Sequence, residues 1–570
     1  MSIIELREGN CRNCYKCIRG CHVKAIAFKD GHTKVMDNEC VLCGECIINC
    51  PQNAKYIQND VEGVRRMLAA GERVYVTLAP SWQGWYPNTS FAKVSAALKK
   101  LGFAGVEETA IGANATSAEY ANLLKNGNMK NIIVTACSSV VMMIERHYPD
   151  LVPMLAPVSS PMMAHARLMR QTYGDIKVVF VGPCLSKKFE ASDPLAGGLV
   201  DAALTFYTVD DWLREEGISI EAQDLQEDPQ AAGVVNTRSR LYPKATGILA
   251  TIPQQNFYSY RPIAVDGIDR CMDLFETMQD EDISGYFVEA NMCSGGCLGG
   301  PAMRVGRRRL LLSESRITDK KQPQDEHPAA TASIAFPHPR VFTNRFVRSE
   351  MPTEEEIREI LAKTGKVRPE DELNCGSCGY ASCREKAIAV YQGKADINMC
   401  LPFFRDRAEN ISNTVLEHSP NAIFAFDDNL CLQSMNPTAE AMFRTPLSEA
   451  AGLPFPAFFG ETAFDEAKDT QCAVKKNVWL PEVEKSVEQT IIYIKEHHTY
   501  LAFLKDVTEE LTRREHLEGL RDSTIDMAQK VIEKQMIAAQ EIASLLGETT
   551  AETKVALTNL KKSMKDLAQS

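Results

Sequence analysis

Residues 11–21 read CRNCYKCIRGC and residues 40–51 read CVLCGECIINCP, so each stretch carries the pattern C-x2-C-x2-C-x3-C. Thiolates at these intervals wrap three sulfurs around one face of a four-iron cubane, while the fourth cysteine reaches a second cubane. That crossing puts Cys11, Cys14, Cys17 and Cys50 on one cluster and Cys40, Cys43, Cys46 and Cys21 on the other. Pro51 follows the second run, and His22 stands at the corresponding place after the first. Zinc is the competing use of such cysteines, but two full copies of the run favour one-electron iron–sulfur chemistry. A third group, Cys375, Cys378, Cys383 and Cys400, is spaced C-x2-C-x4-C-x16-C. Four thiolates on their own suit either zinc or an iron–sulfur cluster, and the two cluster runs upstream tilt the reading to iron.

The elements that must position the remaining cysteines are of another kind. RVYVTLAP at 73–80, KNIIVTAC at 130–137 and IKVVFVGPC at 176–184 are near-continuous apolar, β-branched runs separated by helix-like stretches. Such runs predict buried parallel strands and an α/β domain. Ligands collect at the carboxyl ends of strands in open α/β sheets, so Cys137 and Cys184 fall where a cofactor is expected; taken singly, each is equally a core thiol at a strand end. Residues 289–300, EANMCSGGCLGG, add Cys293 and Cys297 with glycines that let backbone approach a bulky ligand. Four cysteines from three segments can enclose one further cubane.

Taken together these motifs resemble those of FeFe hydrogenases, whose catalytic domain carries TSCCP, MPCxxKxxE and ExMxCxxGCxxGG. Here they stand, in that order, as VTACS, GPCLSKKFE and EANMCSGGCLGG, after a stretch that resembles a two-cluster ferredoxin domain. The resemblance covers about residues 1–345. It implies that Cys137, Cys184, Cys293 and Cys297 hold the 4Fe-4S part of an H-cluster and that Cys297 bridges to a diiron subsite with CO, cyanide and azadithiolate ligands. It further implies that Lys187 donates to a cyanide and that Glu190 orients nearby groups; three residues apart, the two also suit a helix-surface ion pair. The departures matter as much. With Cys137 as ligand, Ala136 occupies the proton-relay position that the family fills with cysteine, Gly182 replaces one methionine and Asn291 another. Proton transfer by a positioned side chain contributes about 10² to 10⁴ in rate, so low turnover is expected. GANATSAEYANLL at 112–124, matched to the family's relay-glutamate segment, offers only Glu119. A cofactor-free relic is the bland alternative for the whole domain.

The Cys375–Cys400 segment resembles the small four-cysteine iron–sulfur domain of corrinoid iron–sulfur proteins and of some redox sensors. Residues 410–443, with Asn436-Pro437 before a helix, resemble the start of a PAS domain, and TIIYIKE (490–496) and TYLAFLKDVTEE (499–510) its closing antiparallel strands. Cys431 and Cys472 read as packing residues, and His497 and His498 as a surface hairpin rather than a haem site. In the tail, Ile525, Ile532, Ala539 and Leu546 recur every seven residues, with Ala528, Gln535 and Ile542 between them. This fits an imperfect coiled coil, or a helix packed on its own PAS domain.

At 570 residues, with 45% hydrophobic and 24% charged residues, the composition is that of a soluble modular protein. No apolar run of about 18 residues predicts a membrane span, and the N-terminus lacks the basic and apolar regions of an export signal. A formal net charge of -12 and only short basic runs, such as the one at 306–312, argue against a nucleic-acid surface. Nineteen cysteines fit metal and redox chemistry in a reducing cytoplasm better than disulfides.

The expected organisation is multidomain α/β and α+β. It comprises a two-cluster ferredoxin domain (1–60), an H-cluster domain built on parallel sheets (61–345), a four-cysteine Fe–S domain (346–405), a PAS domain (406–509) and a helical signalling or dimerisation tail (510–570). The expected cofactors are the H-cluster, two ferredoxin-type 4Fe-4S clusters and a third accessory one. Expected partners are H2 and protons, a ferredoxin-like carrier, a separate kinase or phosphatase as output, and a second copy in a homodimer. The function this implies is a sensory hydrogenase. A turnover hydrogenase and a non-enzymatic redox sensor are the alternatives.

Overall fold

A computed structural model describes residues 2–223, 237–305, 309–319, 340–454, 464–470, 472–546 and 550–566. Residues 306–308 of the basic run lie outside that description, as do the side chains of Ile542 and Leu546. Contacts divide the chain into two compact units, Met1–Phe404 and Arg405–Ser570.

In the first unit, strand β1 (Ile4–Leu6), β2 (Ile26–Lys29), β3 (His32–Val35) and β4 (Lys55–Ile57) form two small antiparallel pairs, β1 with β4 and β2 with β3. The cysteine runs lie between them as loops followed by single helical turns, Lys16–Arg19 and Glu45–Ile48. Positive φ at Asn13, Tyr15, Leu42 and Gly44 bends each run back on itself, as a loop enclosing a cluster requires.

The α/β region holds two parallel sheets. Strands β5 (Val74–Leu78), β6 (Gly105–Glu108), β7 (Ile132–Ile133), β8 (Lys177–Gly182), β9 (Ala202–Thr205), β10 (Arg261–Asp266) and β11 (Tyr286–Asn291) are ordered β6-β5-β8-β9 in one and β10-β11-β7 in the other. Val76 pairs with Val106 on one side and Val179 on the other, and Val288 with Ile263 and Ile133. Residues 178–182 are buried on both sheet faces, which explains why β8 reads as an unbroken apolar run without alternation. The apolar run at 130–137 yields only a two-residue strand, because the chain must turn at Cys137 to start the helix Ser138–His147.

One hydrophobic core joins Ile18, Val41 and Leu42 of the cysteine loops to Ile133, Val140 and Val288 of the second sheet and to Tyr380, Ala389 and Met399 of the four-cysteine segment. A segment of about 60 residues buries only about 60% of the surface its unfolded chain exposes and is marginal alone, so sharing a core adds stability.

The second unit contains a five-stranded antiparallel sheet of β12 (Ala422–Phe426), β13 (Leu432–Met435), β14 (Val474–Leu480), β15 (Lys485–Ile494) and β16 (Thr499–Asp506), ordered β13-β12-β16-β15-β14. The entry helix, the Asp427–Asn429 turn and the helix after Asn436 fall where the PAS resemblance puts them. Buried Asn436 joins these pieces: its Oδ1 accepts from Ile423 N at 2.9 Å and Ala439 N at 3.1 Å, and its Nδ2 donates to Leu416 O and Asn421 O at 3.0 Å. Cys431 is half-buried, but Cys472 is exposed and so is no packing residue, because it lies just before β14 at the surface. Exposed His498 pairs with Asp428 at 2.9 Å on a hairpin surface.

Candidate metal centre

Cys11, Cys14, Cys17 and Cys50 line one cavity, drawn from both cysteine runs. Cys21, Cys40, Cys43 and Cys46 form the other group: each of the last three thiols is raised in pKa first by burial and then by Cys21 and its own companions. Cys40 and Cys43 are pushed up to about 12. The loops therefore interleave in the crossed sense that the spacing predicts.

The second constellation lies at the carboxyl ends of strands from both parallel sheets. Cys137 follows β7, Cys184 follows β8, and Cys293 and Cys297 follow β11, with Cys297 in the tight turn Gly296–Gly299. The four thiols are close enough to act on one another: burial and then Cys184 and Cys137 raise the pKa of both Cys293 and Cys297. Their approach depends on Gly296, at φ +69°, where a Cβ would come within 2.5 Å of the Pro243 carbonyl oxygen. A buried group of mutually repelling thiols fits a cationic iron–sulfur core, which favours the thiolate state. Cys43 and Cys293 open on one cleft of about 440 Å³, lined also by His22, Asp266 and Arg304, so the two groups are neighbours.

Behind these thiols the short helix Ser186–Ser192 carries Lys187 and Glu190. Lys187 Nζ donates to Ala136 O at 3.0 Å and pairs with Glu190 Oε2 at 2.6 Å. Glu190 also accepts from Ser138 Oγ at 2.6 Å and from Arg340. Burial alone pushes this carboxyl up, but Lys187 and Arg340 outweigh it and hold Glu190 down at about 2. The pair is thus a buried three-charge network rather than a helix-surface contact.

Gly182 occupies a position with no room for a side chain: a Cβ there would lie 2.5 Å from the Phe180 ring and 3.0 Å from Ala79 Cβ. Asn291 is buried and donates to Glu289 Oε1 at 3.2 Å. Glu289 is fully buried and accepts from Leu249 N at 2.8 Å; desolvation pushes its carboxyl up to about 7 despite those hydrogen bonds. It also lies within electrostatic reach of Cys297. Glu119 sits on the helix Ala110–Asn126, its carboxyl raised by burial.

Residues 72–301 match the family described as iron only hydrogenase large subunit, C-terminal domain, and residues 371–402 match one described as a putative Fe-S cluster. Over these residues the chain is similar to FeFe hydrogenases. It is 29% identical over 185 residues to the NADP-reducing hydrogenase subunit HndD of Solidesulfovibrio fructosivorans, covering 28% of this chain and 32% of that protein. It is 25% identical over 300 residues to iron hydrogenase 1 of Clostridium pasteurianum, covering 43% of this chain and 52% of that one. The chain thus spans about a third to a half of the length of these relatives. Among solved structures, HydA1 of Chlamydomonas reinhardtii aligns with a TM-score of 0.37 at 17% identity, over 46% of this chain and 88% of that one. Both matches are to iron–sulfur families.

In this hydrogenase-like protein the third cysteine group is also gathered: Cys375, Cys378, Cys383 and Cys400 line one cavity together with Lys366 and Lys386. Its loop rests on the first cysteine run, with Arg19 donating to Gly376 O at 3.2 Å and Lys24 to Gly379 O at 3.2 Å. Sequence reasoning passed over Ser138, Glu289, Arg340 and Lys366. Ser138 and Glu289 stood inside quoted motifs and were the ones within reach.

Proposed function

We propose that the chain is a sensory FeFe hydrogenase, which binds H2, splits it slowly or reduces protons, and reports the result through its clusters and PAS-like unit to a separate kinase or phosphatase. In this reading Cys137, Cys184, Cys293 and Cys297 hold the cubane of an H-cluster, which when bound supplies heterolytic H2 chemistry. The four cysteines of each ferredoxin-type group hold an electron-transfer cluster, and the Cys375–Cys400 group holds a third. The observation that carries the reading is the coexistence of a four-cysteine site backed by Lys187 with a methyl group, Ala136, at the relay position. Glu190 keeps the Lys187 ammonium anchored beside that site, where it favours an anionic ligand. A methyl group moves no proton, which supports slow turnover. The cleft shared by Cys43 and Cys293 supports electron transfer between the H-cluster site and the ferredoxin-type sites.

Glu289 favours a second reading, a turnover hydrogenase exchanging electrons with a ferredoxin-like carrier, because a buried carboxyl with a pKa of about 7 near Cys297 is matched to proton exchange at neutral pH. Infrared spectra after maturation, followed by steady-state H2 oxidation, separate the readings. Iron-bound CO and cyanide bands with slow turnover support the sensor. Fast turnover by the unmodified chain would sink it, and absence of the bands leaves only a non-enzymatic redox sensor.

A further inference from the structure

The cavity that gathers Cys375, Cys378, Cys383 and Cys400 contains two lysines that the proposed function does not use. Lys366 is 9% exposed, and its ammonium donates to Thr364 O at 3.1 Å, to Thr364 Oγ1 at 3.3 Å and to Cys400 Sγ at 3.3 Å. Lys386 is 5% exposed, donates to Ile397 O at 2.8 Å and faces the same cavity. Among the described residues, neither has a carboxylate within ion-pair distance. Asp371 and Asp396 act on Lys366 and Lys386 only from beyond ion-pair distance, so two buried ammonium groups still call for a negative charge where the four sulfurs meet. Four thiolates around an oxidised 4Fe-4S core carry a double negative charge, which two lysines offset. One-electron reduction then adds a charge that these cations favour.

The ferredoxin-type groups also hold buried cations, Lys55 and Arg146, but these bond to carbonyl oxygens rather than to sulfur. Lys55, which acts on Cys17 and Cys46, donates a hydrogen bond to Thr33 O at 3.2 Å. Arg146, which acts on Cys40, donates to the main-chain carbonyls of Asp37 and Cys40. Their sulfurs accept main-chain N–H groups, from Ala25 to Cys21, Leu42 to Cys40 and Ala54 to Cys50. Among the described residues, only the sulfur of Cys400 accepts from a charged side chain. Net charge and hydrogen bonds to sulfur are the levers by which a protein sets a cluster's reduction potential.

We propose that Lys366, with Lys386 behind it, holds the cluster at Cys375–Cys400 at a higher reduction potential than the two ferredoxin-type clusters, so that an electron released at the hydrogenase-like site comes to rest there. The packing gives it a route: Cys17, Cys21 and Cys378 pack on one core with Tyr15 and Tyr380 between them, and Arg19 and Lys24 tie the first cysteine region to the Gly376 and Gly379 carbonyls of the third loop. The electron is the only species that moves; one cluster is oxidised and the next reduced. Lys366 is a positioning residue for charge and does not touch substrate. The inference rests on the reading that these four cysteines hold iron.

Potentiometric titration of the anaerobically reconstituted full chain, followed by electron paramagnetic resonance, tests it, with Cys378→Ala identifying the signal of the third cluster. That cluster is expected to reduce first. Lys366→Met is expected to lower its midpoint by at least a tenfold change in the oxidised-to-reduced ratio, about 59 mV for one electron, while the ferredoxin-type midpoints stay put and Lys366→Arg restores most of the shift. An unmoved midpoint in Lys366→Met with iron content intact overturns the proposal, as does a third cluster that reduces last in the unmodified chain. Zinc in place of iron at this site, read by metal analysis, overturns instead the cluster reading beneath it. If Lys366→Met loses its metal, the unmodified chain decides by itself: with 15N-labelled lysine, a hyperfine coupling of a lysine nitrogen at the third cluster supports the N–H···S bond, and its absence overturns it.

Discussion

Ala136 is a single methyl group, yet it sits on the carbonyl that Lys187 binds and next to Cys137, where a thiol would have an immediate role. Ala136→Cys is expected to raise steady-state H2 oxidation by roughly 10² in the matured protein, the lower end of what a positioned proton carrier contributes; an unchanged rate would place the limiting step elsewhere. Glu289 makes a prediction of the opposite kind, about stability. Its carboxyl titrates near 7 when folded against an ordinary 4.5, so the folded state holds the proton more tightly than the unfolded one. Stability therefore falls as pH rises from about 4.5 to about 7, and the loss is complete above that. Glu289→Gln, which keeps the acceptor for Leu249 N, should leave stability at pH 4 unchanged and raise it at pH 8 by up to about 3 kcal/mol, read by chemical denaturation. Legibility at this scale divides along sequence distance. Cysteine spacings encode cluster loops directly, because the same short segment both positions and supplies the ligands. Glu289 sat in a quoted motif, but its burial depends on Leu249, forty residues away, which no local pattern reveals.

At the scale of elements, the helix Ser186–Ser192 is too short to be stable by propensity and is tied down by charge. Glu190 is 1% exposed and joins Lys187 on its own helix, Ser138 at the start of the earlier helix Ser138–His147 and Arg340 far along the chain. Glu190→Gln leaves two cations without their counter-charge, and removing one partner of a buried pair costs about 3–5 kcal/mol. The same network gives a pH signature. Because Glu190 is held at about 2 when folded, its contribution is present above pH 4.5 and is lost as pH falls from there toward 2. Acid unfolding followed by circular dichroism should show that loss in the unmodified chain and a flatter profile in Glu190→Gln. The sequence suggested Lys187 and Glu190 as site residues, with a helix-surface pair as the alternative, but named no further partner for them. Only the approach of Arg340, 150 positions from Glu190, turns the pair into a buried network. The parallel strands were legible for a plainer reason: a sheet covered on both faces writes an unbroken apolar run into the sequence, as at β8.

For the whole molecule, the shared core of the cysteine loops, the second sheet and the four-cysteine segment could not be read from motifs, since each motif describes only its own loop. It implies that residues 1–404 fold and take up iron as one body, so a chain ending at Phe404 should keep the cluster signals of the full protein, whereas one ending at residue 345 should lose stability in its ferredoxin-type region. The second unit carries the other consequence. In the 39-residue helix Thr508–Leu546, Ile525, Ala528, Ile532 and Ala539 of the sevenfold pattern read from sequence are half-buried, whereas its Gln535 is exposed. A different stripe, Leu517, Leu520, Met527 and Val531, is more than half exposed. With Thr524 included, its spacing alternates three and four, the a/d pattern of a coiled-coil seam. Four such side chains left in water on one helix favour pairing with the same stripe of a second copy, as a parallel dimer requires. The full chain is therefore expected to sediment at twice its monomer mass. Leu520→Asp combined with Met527→Asp should return it to the monomer without altering the cluster spectra, whereas Ile525→Asp should lower the melting temperature of the second unit and leave the mass doubled. A monomer at tens of micromolar in the unmodified chain would remove the homodimer from the proposed signalling route, because a single long helix with an unpaired seam has no partner strand through which to relay a change of state.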